Sequence, residues 1–439
     1  MKKVFSVILA LALVIACLAG CGGNSGNEGS STAPAADDGT TAAQSDGEVS
    51  GKATIWVWTS IQDHIDAYEA SHPGTEIEEV IVDAGDYMTK ITTTMASGGD
   101  LPDIVLGEIL TRGQLFSLDI LEDLTKDPFN FDPSIVDPSV VNTMKNAKGE
   151  IVGIESAVCP SGLAYHRDLA KQYFGVSEPE EMEAMFKDWD SLIEACVQAK
   201  EASGGKQFAF TSLGDLYYVL NGQMTEGRIS DGTIHKDTVL KLMQEICKFR
   251  DAGIVNQIEQ WTPAWYASFG TKDAIFGSMP SYGYSNFYAP AYEGQESADL
   301  GLMVPPQGGF LWGGTAYCVT KSSQNKELAY DFLYWLLCGD GNKLRLEQGE
   351  TPAVTAAYTD EVLNEEYPLF SNQKLMTTFI KDILPNTVSV VPSEYDLTDI
   401  TAMETVLNAL NTDYSMTPEA AVDLYIEEMQ NMASELKVD

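Results

Sequence analysis

The chain has 439 residues, 44% of them hydrophobic, and carries 65 acidic against 26 basic side chains, a formal net charge of −39 at pH 7. Phosphate contacts need clustered Lys and Arg, so this balance excludes nucleic acid as a partner and an anionic membrane as a docking surface. The length is enough to bury two cores.

At the start, Met1-Lys2-Lys3 precedes an apolar run, Val4–Leu18. That run is short of the roughly 20 residues needed to span a bilayer, and it ends in small residues, so residues 1–20 read as a secretory signal. The cut falls at "LAGC", which resembles the lipobox of bacterial lipoproteins. The resemblance implies that Cys21 becomes the lipid-bearing N-terminus. Residues 21–51 are Gly, Ser, Ala, Thr and acids, with Val49 the only large apolar side chain. Such a segment buries too little surface to offset its ordering entropy and reads as a tether.

The folded body begins at "KATIWVWTS", a short β-branched and aromatic run expected to be a buried strand. Ile61, Ile65 and Tyr68 follow at helical spacing and stop at Pro73-Gly74. "TEIEEVIVD" is a second strand, Met88, Ile91 and Met95 mark one face of a second helix, and "PDIVLGE" is a third strand. Strand, helix, strand, helix, strand predicts a parallel α/β sheet. Cys159-Pro160-Ser161-Gly162 then breaks the strand pattern, and the chain is expected to cross there to a second lobe. Asp188 is placed to cap a helix that ends at Gly204-Gly205. "FAFTSLGDLYYVLNG" reads as a strand and a helix, and "AIFGSMPSYGYSNF" as a strand and an aromatic-rich turn. "LGLMVPPQGGFLWGGTAYCV" gives strand, loop, strand, before a helix that Gly339 stops. Thr417-Pro418 opens a helix near the C-terminus.

Beyond Cys17 and Cys21 the cysteines are Cys159, Cys196, Cys247, Cys318 and Cys338. This odd set among apolar neighbours gives no disulfide framework and reads as buried thiols. No phosphate loop, dinucleotide fingerprint, zinc-protease helix or serine-hydrolase elbow occurs, and the four histidines are scattered. No cofactor or metal is expected. Aromatic and small polar residues stand out instead at strand ends: Trp58-Thr59-Ser60, Gly107-Glu108 with Arg112 one turn on, Tyr282 and Tyr284 in "SYGYSNF", and Trp312 between glycine pairs. In open α/β sheets ligands bind outside the carboxyl ends of strands. Flat aromatics beside carboxylates suit sugars, which stack through C–H faces and hydrogen-bond through hydroxyls. Trp56 and Trp189 are assigned to the core. The glycines around Trp312, Gly313 included, are expected to leave that loop exposed and open to a ligand.

The ordered set "ATIWVWTS", "MASGGDLPDIVLGE", "GEIVGIES", "GLAYHRDLA", "DWDSLIEA", "FGTKDAIFGSMPSYG" and "SSQNKELAYDFLYWL" resembles the extracellular solute-binding lipoproteins of ABC importers, in the sugar-binding group that includes maltodextrin-binding proteins. The resemblance implies a two-lobed α/β fold of the periplasmic-binding-protein type, each lobe a mixed sheet flanked by helices, with the ligand between them. Residues 52–158 with about 306–350 would form lobe one, and 159–305 with about 351–439 lobe two. It implies a non-enzymatic, monomeric receptor at the extracellular face of the cell membrane. Such a receptor holds a carbohydrate by lobe closure, delivers it to permease subunits, and touches the membrane through its lipid alone. Matching motifs place Trp58, Thr59, Ser60, Glu108 and Arg112 on the lobe-one side of the cleft, and Asp215 and Tyr217 on the other. Tyr282 falls where the family has a stacking tryptophan, and Cys159 falls near a family carboxylate. Trp261 and Trp312 rest mainly on the residue-level argument. A polyamine or peptide ligand, or a lipid-anchored hydrolase, are the competing readings.

Overall fold

The computed structural model describes residues 49–439. The expected signal, Cys21 and the tether up to residue 48 lie outside the described residues. In chain order the strands are β1 (Gly51–Val57), β2 (Thr75–Ile81), β3 (Ile104–Glu108), β4 (Ile154–Glu155), β5 (Pro160–His166), β6 (Ile229–Ser230), β7 (Thr233–Ile234) and β8 (Phe276–Pro280). They continue with β9 (Leu300–Met303), β10 (Phe310–Leu311), β11 (Thr315–Val319) and β12 (Lys437–Val438).

A first sheet runs β2-β1-β3-β11-β4. Its first three strands are parallel, as the alternation with helices Gln62–Ser71 and Tyr87–Ala96 requires. The late strand β11 enters antiparallel between β3 and β4 and makes the sheet mixed. The second sheet is centred on β5, with β8 on one side and β9 and β10 on the other, all antiparallel. Single parallel bridges join Phe208 to Ala274 and Phe210 to Val255, so the strand expected in "FAF" is reduced to bridges. A small third sheet runs β12-β7-β6.

Each large sheet has its own core. Ile55, Val57, Ile104, Leu106, Ala316, Phe332 and Leu336 are among the residues packed about the first. Leu163, Trp189, Phe210, Leu216, Phe249, Phe276 and Met403 are among those packed about the second. The chain passes between sheets after Glu155 and returns between Leu311 and Thr315, a few residues beyond the expected 306 because Phe310 and Leu311 still pair with β5. It leaves again near Thr351, whose carbonyl accepts the Val158 N–H at 2.9 Å and whose hydroxyl meets Ser281 at 3.0 Å.

Local signals explain most element ends. Asp188 accepts from Ser191 N–H and Thr417 from Ala420 N–H, satisfying donors that a helix start leaves free. The second helix departs from its expected face: Tyr87 and Ile91 are buried and Met95 is exposed. Tyr87 is the anchor because its hydroxyl donates to Trp56 O at 2.8 Å and accepts from Leu106 N–H at 2.9 Å, tying β1 to β3. "YSNFY" forms a π-helical turn, Tyr284–Tyr288, in place of the expected open turn. The cysteines from Cys159 to Cys338 are free.

Candidate functional site: the cleft at the lobe crossings

On the first sheet, the ends of β1, β3 and β11 open into a polar hollow of about 480 Å³ lined by Trp58, Thr59, Ser156, Thr315, Tyr317 and Glu350 among others. Trp58 is half-buried and stands edge-on to Tyr87, ring centroids 5.3 Å apart. Ser60 lines the same hollow, but its hydroxyl donates to Glu79 at 2.5 Å, the carboxylate that also receives Ile61 N–H. Ser60 therefore serves the helix entry first. Glu108 closes β3; its carboxylate accepts Leu110 N–H at 2.8 Å, and burial raises its pKa.

On the second lobe the aromatic residues form a connected group. Tyr218 stacks on Trp312 at 4.8 Å and 22°, Trp261 meets Trp312 at 5.8 Å, and Trp265 lies 4.9 Å behind Trp261. Trp261 is 45% exposed and sits at φ 64°, a left-handed conformation costly for a bulky residue. Tyr282 packs against the Gly313 backbone, where a Cβ would stand 3.2 Å from its ring and where φ is +106°. Burial first, then the Glu404 carboxylate, pushes the Tyr218 hydroxyl up to about 12, and burial raises Tyr282 as well.

Four expectations need correction. Trp312 is 6% exposed: its glycines do not leave it open, because Tyr218 covers its face and its main-chain N–H is held by the Cys159 carbonyl at 3.1 Å. Arg112 is fully buried and is committed to Glu155 at 2.6 Å, to the Gly107 carbonyl and to the Thr143 carbonyl. It braces the crossing beneath the cleft instead of facing a ligand. Asp215 is buried under the aromatic group, accepting from Trp265 Nε1 at 2.9 Å and Gln260 Nε2 at 3.0 Å. Burial pushes its carboxyl up to about 6. It is a positioning residue, gripping the residue before Trp261 and the ring behind it. Tyr217 points into the lobe, where its hydroxyl accepts from Arg228 at 2.9 Å. Its neighbour Tyr218 is the one in the aromatic group. The sequence shows two adjacent tyrosines on a helix, about 100° apart in direction; only the seating of Leu213–Gly222 decides between them.

The structure therefore brings together Trp58, Thr59, Ser60 and Glu108 on one lobe, and Trp261, Tyr282, Trp312 and Gly313 on the other, adding Tyr218. It sets Arg112, Asp215 and Tyr217 one layer below. Among the described residues no group of His, Cys, Asp and Glu has metal-binding geometry, and no helix is long and apolar enough to cross a membrane.

The model of the bacterial extracellular solute-binding proteins matches residues 63–371, most of the chain. No curated sequence matches. Among solved structures, an extracellular solute-binding protein of family 1 superposes with a TM-score of 0.79 at 21% identity, covering 87% of this chain and 99% of that one. The sugar-binding protein MalE from Xanthomonas citri gives 0.71 at 18% identity, covering 88% and 98%. The galacto-N-biose/lacto-N-biose I-binding protein of an ABC transporter from Bifidobacterium longum gives 0.68 at 17% identity, covering 90% and 100%. These likenesses fix the two-lobed fold, and the family match over most of the body fixes the rest: the chain is a member of the bacterial extracellular solute-binding proteins.

Proposed function

We propose that the chain is a carbohydrate receptor of an ABC importer, held at the outer face of the membrane by a lipid on Cys21 and acting as a monomer that hands its ligand to permease subunits. The observation that carries this is that the two lobes present unlike surfaces near their crossings. Trp261, Tyr218 and Tyr282, with Trp312 stacked beneath Tyr218, present aromatic rings on one lobe, and Glu108, Thr59 and Thr315 present hydrogen-bonding groups at strand ends on the other. A sugar has one surface for each wall, C–H faces for the rings and hydroxyls for the polar groups. The sugar-binding names of the MalE and lacto-N-biose neighbours support the same class. Closure is favoured to the extent that the ligand touches both walls and so binds the closed state better.

Melting temperature and tryptophan emission of the full chain across a panel of mono- and oligosaccharides test this. One sugar is expected to raise the melting temperature by several degrees and to be recovered intact. Stabilisation by spermidine and by no sugar would favour the polyamine reading, for which the half-buried Glu108 carboxylate is the supporting feature. Breakdown of the sugar during incubation would favour a hydrolase.

A further inference from the structure

Beside Tyr218, residues of both lobes line a second chamber of about 210 Å³, smaller than the roughly 300–1,000 Å³ that drug-sized ligands fill. Its walls are apolar, among them Leu110 from the loop after β3, Tyr218, Met224, Leu311 and Val391. Polar groups gather at the floor. The Arg228 guanidinium is occupied by Asp399, Asn221 and the Tyr217 hydroxyl. Asp396 differs: one carboxylate oxygen accepts Ser393 N–H at 2.9 Å, and among the described residues nothing donates to the other. Burial, with Asp399 nearby, pushes this carboxyl up to about 7 against the pull of Arg228 and Arg112.

Tyr218 links the chamber to the aromatic group, lining the one and stacking on Trp312 in the other. Leu110, also in the chamber wall, gives its N–H to Glu108. At its outer side the segment 388–393 crosses from lobe two and is fastened to lobe one at two points. Asn142 Nδ2 donates to the Ser389 carbonyl at 3.0 Å, and Gly113 lies so close to Ser393 that a Cβ there would overlap its carbonyl. A linear ligand running along the aromatic group would meet this strap and stop.

Resting on the carbohydrate reading, we infer that the chamber is an end stop: it takes one terminal ring of the bound saccharide, with an apolar face on Tyr218 and Val391 and a hydroxyl on the free oxygen of Asp396. The receptor then recognises a chain by its end. Length is limited in the direction of the strap and open in the other, and a blocked terminal ring is rejected. The alternative arrangement, a cleft open at both ends, would take internal stretches of a polymer.

Calorimetry on the full chain tests this with the saccharide that most raises the melting temperature, used in three forms: free, blocked at the reducing end as an alkyl glycoside, and blocked at the other end as a cyclic acetal. One blocked form is expected to lose at least tenfold in affinity while the other binds as the free sugar does. Val391→Trp, at a position 43% exposed and so tolerant of size, should fill the chamber and move the optimum chain length down by one unit. Asp396→Asn should weaken the free form about fivefold or more and leave the end-blocked form unchanged. Equal binding of both blocked forms, together with an unchanged length profile in Val391→Trp, would overturn the end stop and leave the receptor standing. Failure of every saccharide to bind would remove the carbohydrate reading and the end stop with it.

Discussion

On the lobe-one side the cleft is surfaced by residues at strand ends: Trp58 and Thr59 just past β1, Glu108 at the end of β3 and Thr315 at the start of β11, the last two paired in the sheet's backbone ladder. On the lobe-two side it is surfaced by rings lying two deep, Trp261, Tyr218 and Tyr282 in front and Trp312, Trp265 and Phe287 behind, with a buried carboxylate holding Trp265. The first wall inherits its precision from main-chain hydrogen bonds, so its side chains can change without moving their neighbours. The second wall depends more on the side chains packed beneath it. Beneath lobe one the corresponding layer is the Arg112–Glu155 pair, which braces a crossing and belongs to the fold itself.

That contrast can be broken most severely at the brace. Removing one member of a buried pair strands the other charge, which typically costs about 3–5 kcal/mol. Arg112→Ala is therefore expected to lower unfolding free energy by about that amount in a denaturant titration, leaving Glu155, also an acceptor for Thr143 Oγ1 at 2.8 Å, without its cation. Replacing both members by apolar residues, Arg112→Met with Glu155→Leu, should recover much of the loss. A loss below about 1 kcal/mol in the single variant would mean that the pair is not desolvated as its burial implies.

Asp215 sharpens the comparison at an intermediate scale. Asp215→Ala leaves the Trp265 and Gln260 donors unpaired in the interior, at a cost of about 1–3 kcal/mol, and frees the segment that carries Trp261. Stability and ligand affinity should fall together, as they would not for Thr59→Ala on the other wall. The charge adds a pH signature. The folded-state pKa is raised to about 6, so the folded protein holds this proton more tightly than the unfolded chain. The contribution is complete below the unfolded value of about 3.9, and it is lost as pH rises through 6. Asp215→Asn keeps an acceptor for Trp265 and should flatten that decline between pH 4 and 7. An unchanged slope would show that the carboxyl titrates normally and is more hydrated than its surroundings indicate.

Much of the fold was legible because its signals are local. The alternation of short apolar runs with helical spacing gave the parallel part of the first sheet, and Asp188, Thr417 and Gly339 marked helix ends by their own chemistry. The site was legible as a set of strand ends and less so as a surface. Arg112 looked available because Glu155 lies 43 residues away in sequence, and no local pattern announces that partnership. Trp312 looked exposed because glycines flank it, whereas its burial comes from Tyr218 on a distant helix. Tyr217 and Tyr218 look alike for the same reason, since helix phase is set by packing against neighbouring elements, the helix Lys236–Asp251 and β8 among them. Motifs locate backbone; which side of it faces a ligand is a tertiary result.

The smallest expected change in stability is at Trp261, and there the sign itself is informative. The residue holds a left-handed backbone, which costs an L side chain roughly 1–2 kcal/mol, and nearly half of its surface is open. Trp261→Gly relieves the strain and gives up packing against Trp265 and Trp312. The two effects are of similar size, so unfolding free energy should stay within about 1 kcal/mol of wild type. If the strained indole is kept for a ligand, the saccharide affinity of the same variant should fall at least tenfold, about 1.4 kcal/mol or more. Trp261→Gly and Arg112→Ala then mark opposite ends of the comparison, one changing binding at little cost to folding and the other changing folding. Should Trp261→Gly instead unfold the protein as readily as Arg112→Ala does, with ligand affinity in the folded fraction intact, the outer ring would belong to the core. The wall facing lobe one would then begin at Tyr218 and Tyr282.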